Sequence, residues 1–572
     1  MAIAFNQIPD DVRVPLFLAE VNAGPPVYSS VSRMLLIGRA DPDVMEPLTL
    51  VNVGSTDPSE LFGYGTMLAD MVAYARQINK QGEIYAIAVP QDAGSVQAEG
   101  AITFTGTAKA NGQMYVFICG EKYSIRVKQG DTAEVVANRF KERIQKGYNK
   151  FGMRFGPPVL ARIEAGSPTT VKLKARHAGN EGNDIRVNRA WEGDPARVRG
   201  IKVEWTPMTG GLGGGGLAGA LALIAGEQFD WIASPYVNKA SLDAVKDFMR
   251  ERWDPFTQLD GHYVTAKNGT LANLTAEGLE HNDPHITIMG TYQVPQPNWC
   301  VAASLCAQIA FSKNLGRGLG SAVEIARPMQ GLTLVGITPP RDATAIFTPV
   351  ERETLLRSGI STYTFGTDDQ MRCERIITTY RINGADLLDT TFLDIESVCV
   401  AAYVKRYMKT RILGQYPRHV MREDNPNAIQ GVVTPDQMRS TLIHAYDELS
   451  AAGIVRQSNE FAQYLLVEFD YDNDRAGIYL PVAQAAALRV FAVNLTMFKH
   501  LRRDPCRPKA VVTRSTSAGG ATAAALRPPS GRPRRRRRPA SIRTRPATSR
   551  SRRSSRRSSC RSTAARSPGR RT

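Results

Sequence analysis

The chain has 572 residues and a formal net charge of +18, but the excess sits at its end: Leu501 to Thr572 hold 22 Arg, one Lys and one acid. Residues 1–500 hold 49 basic and 53 acidic side chains, a balance of −4. A mildly acidic body excludes a nucleic-acid-binding protein inferred from overall charge, and its length exceeds a single core, so about two to four domains are expected.

The opening Met1-Ala-Ile-Ala-Phe-Asn-Gln lacks a basic region followed by an apolar stretch, so no signal peptide is read. No apolar run reaches the roughly 18 residues of a membrane span. Val12 to Leu18 reads as a strand, with Pro15 confining it to an edge because proline cannot donate to a ladder. Arg33–Gly38 and Leu48–Val53 are further strands. Asp57-Pro58-Ser59-Glu60 carries an N-cap, Pro at N1 and Glu at N3, and predicts a helix running to about Asn79. The strand Ile84–Val89 follows, completing an α/β rhythm.

Residues 96–206 change style, with short strands at Ala101–Gly106, Met114–Ile118 and Tyr123–Val127 and one helix near Thr132–Lys146. This predicts a β-rich inserted domain. The glycines from Gly210 to Gly219 return the chain to α/β style, with strands at Phe229–Ala233 and His285–Gly290 and a helix over Ser241–Trp253. From about residue 390 the pattern is α+β. A helix over Leu393–Leu413 carries Lys405, Arg406, Lys409 and Arg411. Lys405 and Lys409 share a face, a basic patch suited to an acidic protein surface or an ordinary solvated face. Thr434 to Gln437 forms a capping box opening a helix with Met438, Leu442, Tyr446 and Leu449 on one side. A hairpin over Gln463–Pro481 precedes a last strand in which Phe491, Val493, Leu495 and Met497 alternate onto one face.

A lone strand in water is unstable. The two terminal strands therefore either fold back on their own chain or join sheets of neighbouring copies. Beyond residue 500 the chain is Arg/Pro/Ser-rich and has no aromatic residue, a composition that predicts disorder. Its abrupt onset and Arg-over-Lys bias favour a reading-frame artefact or an inert extension over a phosphate-binding arm.

The seven cysteines form no CxxC and read as reduced, buried thiols. Gly210–Gly219 lacks the lysine of a phosphate loop and reads as a hinge. Asp470, Asp472 and Asp474 mimic the start of a calcium loop, but Arg475 and Pro481 stand where its glycine and glutamate belong, so a solvated hairpin tip is expected. His281 and His285 lack the HExxH context of a zinc site. Asp260-Gly261-His262 and Ser234 lack any serine-hydrolase signature. No catalytic, cofactor or metal site is expected.

Residues 1–499 resemble the tail sheath protein of Mu-like contractile-tailed phages. The likeness is carried by Phe5-Asn-Gln-Ile-Pro-Asp-Asp-Val-Arg-Val-Pro, Tyr28-Ser-Ser, Phe62-Gly-Tyr-Gly-Thr-Met-Leu, Ala175-Arg-His-Ala-Gly-Asn-Glu-Gly-Asn-Asp-Ile-Arg-Val and Phe229-Asp-Trp-Ile-Ala-Ser-Pro-Tyr, with Gln258-Leu-Asp-Gly-His, Asn282-Asp-Pro-His-Ile-Thr, Gly359-Ile-Ser-Thr, Glu374-Arg-Ile-Ile-Thr-Thr-Tyr and Leu488-Arg-Val-Phe-Ala-Val. The resemblance implies a multidomain α/β and α+β chain. Its expected parts are an N-terminal arm (1–25), a subtilisin-like α/β domain in two parts (26–95 and 209–389), a β-rich insert (96–208), an α+β C-terminal domain (390–486) and a C-terminal arm strand (487–500). The tail at 501–572 has no counterpart.

It implies no protease chemistry. Copies are expected to stack as hexameric rings around a tail tube in the virion, after assembly in the host cytoplasm, with baseplate and terminator proteins at the ends and no membrane insertion. Contraction then drives the tube through the host envelope. The arms, through Val12, Val14, Leu16 and Leu18 and through Phe491, Val493, Leu495 and Met497, are expected to exchange strands between copies. Lys405, Arg406 and Lys409 are expected to face the tube. Two rival classes are a structural protein binding nucleic acid through the basic tail and a serine hydrolase of subtilisin-like fold.

Overall fold

The structure, a computed structural model, describes residues 32–80, 82–189, 197–314, 322–495 and 497. The expected strand over Val12–Leu18 and the chain after residue 500 lie outside them. Residues 1–492 form one unit and 493–572 another. The described residues make a mixed α/β structure of eleven α-helices and several sheets, in which no helix is long and apolar enough to cross a membrane.

A six-stranded sheet organises the body. Across it run Ile286–Thr291, His262–Asn268, Trp231–Ala233, Arg33–Gly38, Glu83–Ala88 and Leu50–Asn52. The first five are parallel, and Leu50–Asn52 closes one edge antiparallel. Parallel strands need crossovers, and the helices supplying them cover both faces. Alternation along Arg33–Gly38 divides the core: Met34 and Leu36 pack with the Met67–Ile78 and Asn298–Ser312 helices. Leu35 and Ile37 pack with Leu217 and Leu221, Leu242 and Val245, Leu274 and Leu355, each pair or residue from a helix on the opposite face.

Between Glu83–Ala88 and Trp231–Ala233 the chain builds antiparallel sheets. One has the order Ile201–Thr209, Gln97–Gly106, Ser167–Ala178, Val159–Glu164; another pairs Val187–Arg189, Gly112–Ile118 and Glu121–Val127. The Ala133–Gln145 helix, N-capped by Thr132, packs here through Phe140, whose ring stacks on Phe104 at 5.0 Å. Toward the C-terminus stand the helices Ile395–Gln415 and Pro435–Ala451, the second opened by the Thr434/Gln437 capping box. Met438, Leu442, Tyr446 and Leu449 are all buried beneath it.

Two local expectations are corrected. The single helix from Asp57 to Asn79 is two helices, Pro58–Phe62 and Met67–Ile78. Asp57 does cap the first, but Gly63 (φ 92°) and Gly65 (φ 77°) turn the chain out of helical geometry, and Thr66 caps a new start. A Cβ at Gly63 would stand 2.5 Å from that of Asp41. The glycines after Gly210 are packed rather than loose: a Cβ at Gly215 would meet the Tyr236 ring at 2.2 Å, and the Gly211 amide donates to Asn183 Oδ1 at 2.8 Å. Close approach, not hinge freedom, accounts for them.

The Met67–Ile78 helix also buries Asp70 against the Asn298–Ser312 helix, where the Trp299 indole reaches it at 3.4 Å. Burial pushes the Asp70 carboxyl up to about 7, only partly opposed by that hydrogen bond. A raised carboxyl pKa favours the folded state at low pH. Its contribution is complete below the unfolded value near 4 and is lost as pH rises through about 7, at up to roughly 1.4 kcal/mol per pH unit. Asp70→Asn is therefore expected to melt several degrees above the parent at pH 8 and to lose most of that advantage at pH 5. Equal differences at both pH values in thermal melts would contradict the burial account.

Candidate assembly surfaces

The Ile395–Gln415 helix begins at Asp394, with Glu396 in its first turn, where acidic groups oppose the helix dipole. Both acids are paired with arginines. Arg375 binds Asp394 through two nitrogens at 2.9 and 3.2 Å, and Arg489 reaches Asp394 Oδ1 at 3.2 Å and Glu396 Oε2 at 3.0 Å. Arg489 fastens the segment that leads toward the C-terminal arm.

Further along the same helix the expected basic patch is only partly open. Arg406 is turned inward: its Nη1 contacts Asp230 Oδ1 and its Nε contacts Asp260 Oδ2, both at 2.7 Å. Asp260 is 2% exposed and also pairs with Lys405, whose ammonium lies 4.7 Å from the centre of the Trp253 ring. Burial alone would lower the Arg406 pKa, but the two carboxylates outweigh it and raise it above the ordinary arginine value. Lys409 alone of the three lies fully on the surface, its ammonium donating to Gln258 Oε1 at 2.6 Å. Lys405 and Arg406 thus join the helix to the N-terminal ends of two core-sheet strands. The amino-acid pattern could not show their counterions, which lie 176 and 146 residues away from Arg406. The neighbouring rings of Tyr403 and Tyr407 stack at 6.1 Å, and the Tyr407 hydroxyl donates to Glu448.

The C-terminal arm is where exposure concentrates. Phe491, Val493, Leu495 and Met497 are 78%, 83%, 79% and 88% exposed, and none belongs to a strand of its own chain. The hairpin before it pairs Leu466–Asp470 with Arg475–Tyr479 and forms a two-stranded sheet. Val467, Phe469, Ala476 and Ile478 turn toward the core. Among the described residues no third strand joins either edge. Asp470 accepts from the Asn473 amide and side chain within the tip, and Asp474 takes a left-handed φ of 51°, a turn arrangement.

The residues that suggested hydrolysis are kept apart. His262 pairs in register with Trp231, and Ser234 lies three residues further along that strand, roughly 10 Å away. Ser234 is buried and its hydroxyl accepts from the Tyr236 amide at 3.4 Å. His262 Nε2 meets Thr287 Oγ1 at 2.8 Å, burial lowers its pKa to about 3, and Asp260 faces Lys405 and Arg406 instead. His281 lies 3.5 Å from Glu277, whereas the His285 ring stacks on Trp253 at 4.4 Å. Among the described residues no three His, Cys, Asp or Glu side chains converge as metal ligands, and five cysteines are buried free thiols.

Residues 210–379 match the family described as phage tail sheath protein central domain. The chain is 30% identical over 492 residues to the Mu-like prophage FluMu tail sheath protein of Haemophilus influenzae, covering 83% of this chain and 94% of that one. Among solved structures, a sheath tail protein from Desulfitobacterium hafniense aligns at a TM-score of 0.43 and 12% identity, over 82% of this chain and 97% of the other. The helical sheath of the anti-feeding prophage in its contracted state aligns at 0.40 and 12%, over 86% and 100%.

Proposed function

The chain belongs to the phage tail sheath family and is a structural protein of a contractile tail, and on that premise we propose how its surfaces build and move the sheath. Copies stack as hexameric rings around a tail tube in the virion, and a baseplate signal releases contraction that drives the tube through the host envelope. The layout we propose is a subtilisin-like α/β domain (26–95 and 209–389) without protease chemistry, a β-rich insert (96–208), a C-terminal domain (390–486) and arms at both ends. Assembly takes place in the host cytoplasm.

The observation carrying this reading is an exposed apolar arm in a chain that also presents a two-stranded sheet. Among the described residues, Phe491, Val493, Leu495 and Met497 pair with no strand, and no third strand joins either edge of the 466–479 hairpin. An isolated two-stranded sheet is marginal in water and readily accepts further strands. An arm of one copy laid along the hairpin of a neighbour satisfies both, and backbone ladders keep copies connected while their bodies rotate. The N-terminal arm, through Val12, Val14, Leu16 and Leu18, acts likewise. The drive is the free-energy difference between two packings of the same subunits. Of the three helix cations, we assign Lys409 to the tube because it alone lies on the surface, while Lys405 and Arg406 hold the helix that carries it.

Negative-stain imaging of the purified protein tests this directly. Striated hollow cylinders are the expected result. Monodisperse particles of monomer size at every concentration and salt tried would overturn the polymerisation reading.

A further inference from the structure

Between the N-terminal ends of the core strands and the Ile395–Gln415 helix lies a cavity of about 70 Å³. One water needs roughly 10–15 Å³, so the space exceeds a single solvent molecule several times over. Trp231, Trp253, Ile325 and Val398 give it apolar walls, and Ser32 and His262 stand among them. Ser32 is buried, and its hydroxyl accepts from the Trp231 indole at 2.9 Å. His262 is 2% exposed. Its Nε2 meets Thr287 Oγ1, whereas its Nδ1 is buried with no hydrogen-bond partner among the described residues. A buried polar atom is normally paired, so this nitrogen calls for a partner.

The chain before Ser32 leaves the sheet at this cavity. Arg33–Gly38 runs parallel to Trp231–Ala233, so it starts at the end of the sheet where Arg406 ties the helix to Asp230 and Asp260. Alternation puts Ser32 on the side of Met34 and Leu36, and extended residues of the same parity are Ser30 and Tyr28. Of the residues from Val27 to Val31 only Tyr28 carries a ring. It opens the Tyr28-Ser-Ser motif, which the proposed strand exchange does not use. Four extended residues reach roughly 13 Å, slightly more than the thickness of a helix. A phenol suits both features of the cavity. Its ring matches the apolar walls, and its hydroxyl donates or accepts, so it pairs with His262 Nδ1 in either tautomer.

We propose that this cavity is the socket for Tyr28 of the same chain, with the ring against the apolar walls and the hydroxyl on His262 Nδ1. The socket roots the N-terminal arm in its own subunit, whether or not Val12–Leu18 pairs with a neighbour. Force on the arm then enters the body beside the Arg406 ion pairs.

The test is amide hydrogen exchange, read by mass spectrometry on the full chain diluted until sedimentation shows monomer. Residues 27–31 are expected to exchange roughly tenfold or more below the rate of unstructured chain. Tyr28→Ala is expected to remove that protection while residues 33–38 keep theirs, and Tyr28→Phe to retain part of it. Val27→Ala, of opposite parity, is expected to behave as the parent. Ala402→Phe, which fills the cavity from the helix side, is expected to act as Tyr28→Ala does; should it fail to fold, Tyr28→Ala decides alone. Unprotected 27–31 in the parent, no change with Tyr28→Ala, or an equal change with Val27→Ala overturns the socket. Protection that appears only on polymerisation assigns the cavity to a second copy and also overturns it. Because the monomer is measured, absence of cylinders under the microscope would defeat the polymerisation reading and leave this result standing.

Discussion

Truncation after Arg489 is expected to leave a folded, soluble protein that no longer polymerises, with a loss of assembly of a hundredfold or more. Of the residues removed, the described apolar ones contribute almost nothing to the fold of their own subunit, since Val490, Phe491, Val493, Leu495 and Met497 are all exposed. In a neighbour's sheet each buried apolar side chain would contribute about 1.5–3 kcal/mol, before the entropy of ordering the strand is subtracted. Even half of that sum changes an association constant by orders of magnitude. Stopping at Arg489 matters because it keeps Asp394 and Glu396 partnered. The comparison is truncation after residue 500, which removes the Arg-rich tail and is expected to polymerise normally. Analytical sedimentation with imaging reads both. Cylinders of parental length from the shorter chain would end the strand-exchange reading. Failure of both chains would instead point to the basic tail.

The second large effect is on stability. Arg406→Met is expected to destabilise the protein by about 3–5 kcal/mol, the range for breaking a buried ion pair from one side. The reason is what remains: Asp260, 2% exposed, keeps only Lys405, and Asp230 loses the guanidinium altogether. A chain of this size need not unfold in one step. The effect should therefore appear as an early transition in calorimetry and as proteolysis near the Ile395–Gln415 helix. Adding Asp260→Asn to Arg406→Met should recover part of the loss, because the stranded buried charge is gone. A single variant melting within a degree of the parent would show that the network adds no net stability.

Where the amino-acid pattern was legible, it was legible through local physics. Arg33–Gly38 reads as a buried strand because apolar residues fill both faces, as a parallel sheet covered on both sides requires. Thr434 and Gln437 announce a helix start by capping chemistry alone. The Asn298–Ser312 helix was missed because it is apolar all round and so shows no face to read. The strand His262–Asn268 shows little signal either, because its polar start, Asp260-Gly261-His262, breaks the apolar run expected of a buried strand. Asp260 is instead the counterion of a helix far along the chain, and no window of contiguous residues contains that relation. Alternation reads Phe491, Val493, Leu495 and Met497 as a strand, whereas the structure places them in no strand of their own chain and leaves them exposed.

The two grips on the Ile395–Gln415 helix have a mechanical consequence. Arg489 holds its first turn through Glu396, and Arg406 holds it to the sheet ten residues on, roughly 15 Å along the axis. A tug on the chain beyond Arg489 therefore enters a stiff strut clamped at two points. Under the proposed strand exchange, such a strut would pass torque into the body of the subunit rather than let it unravel from its end.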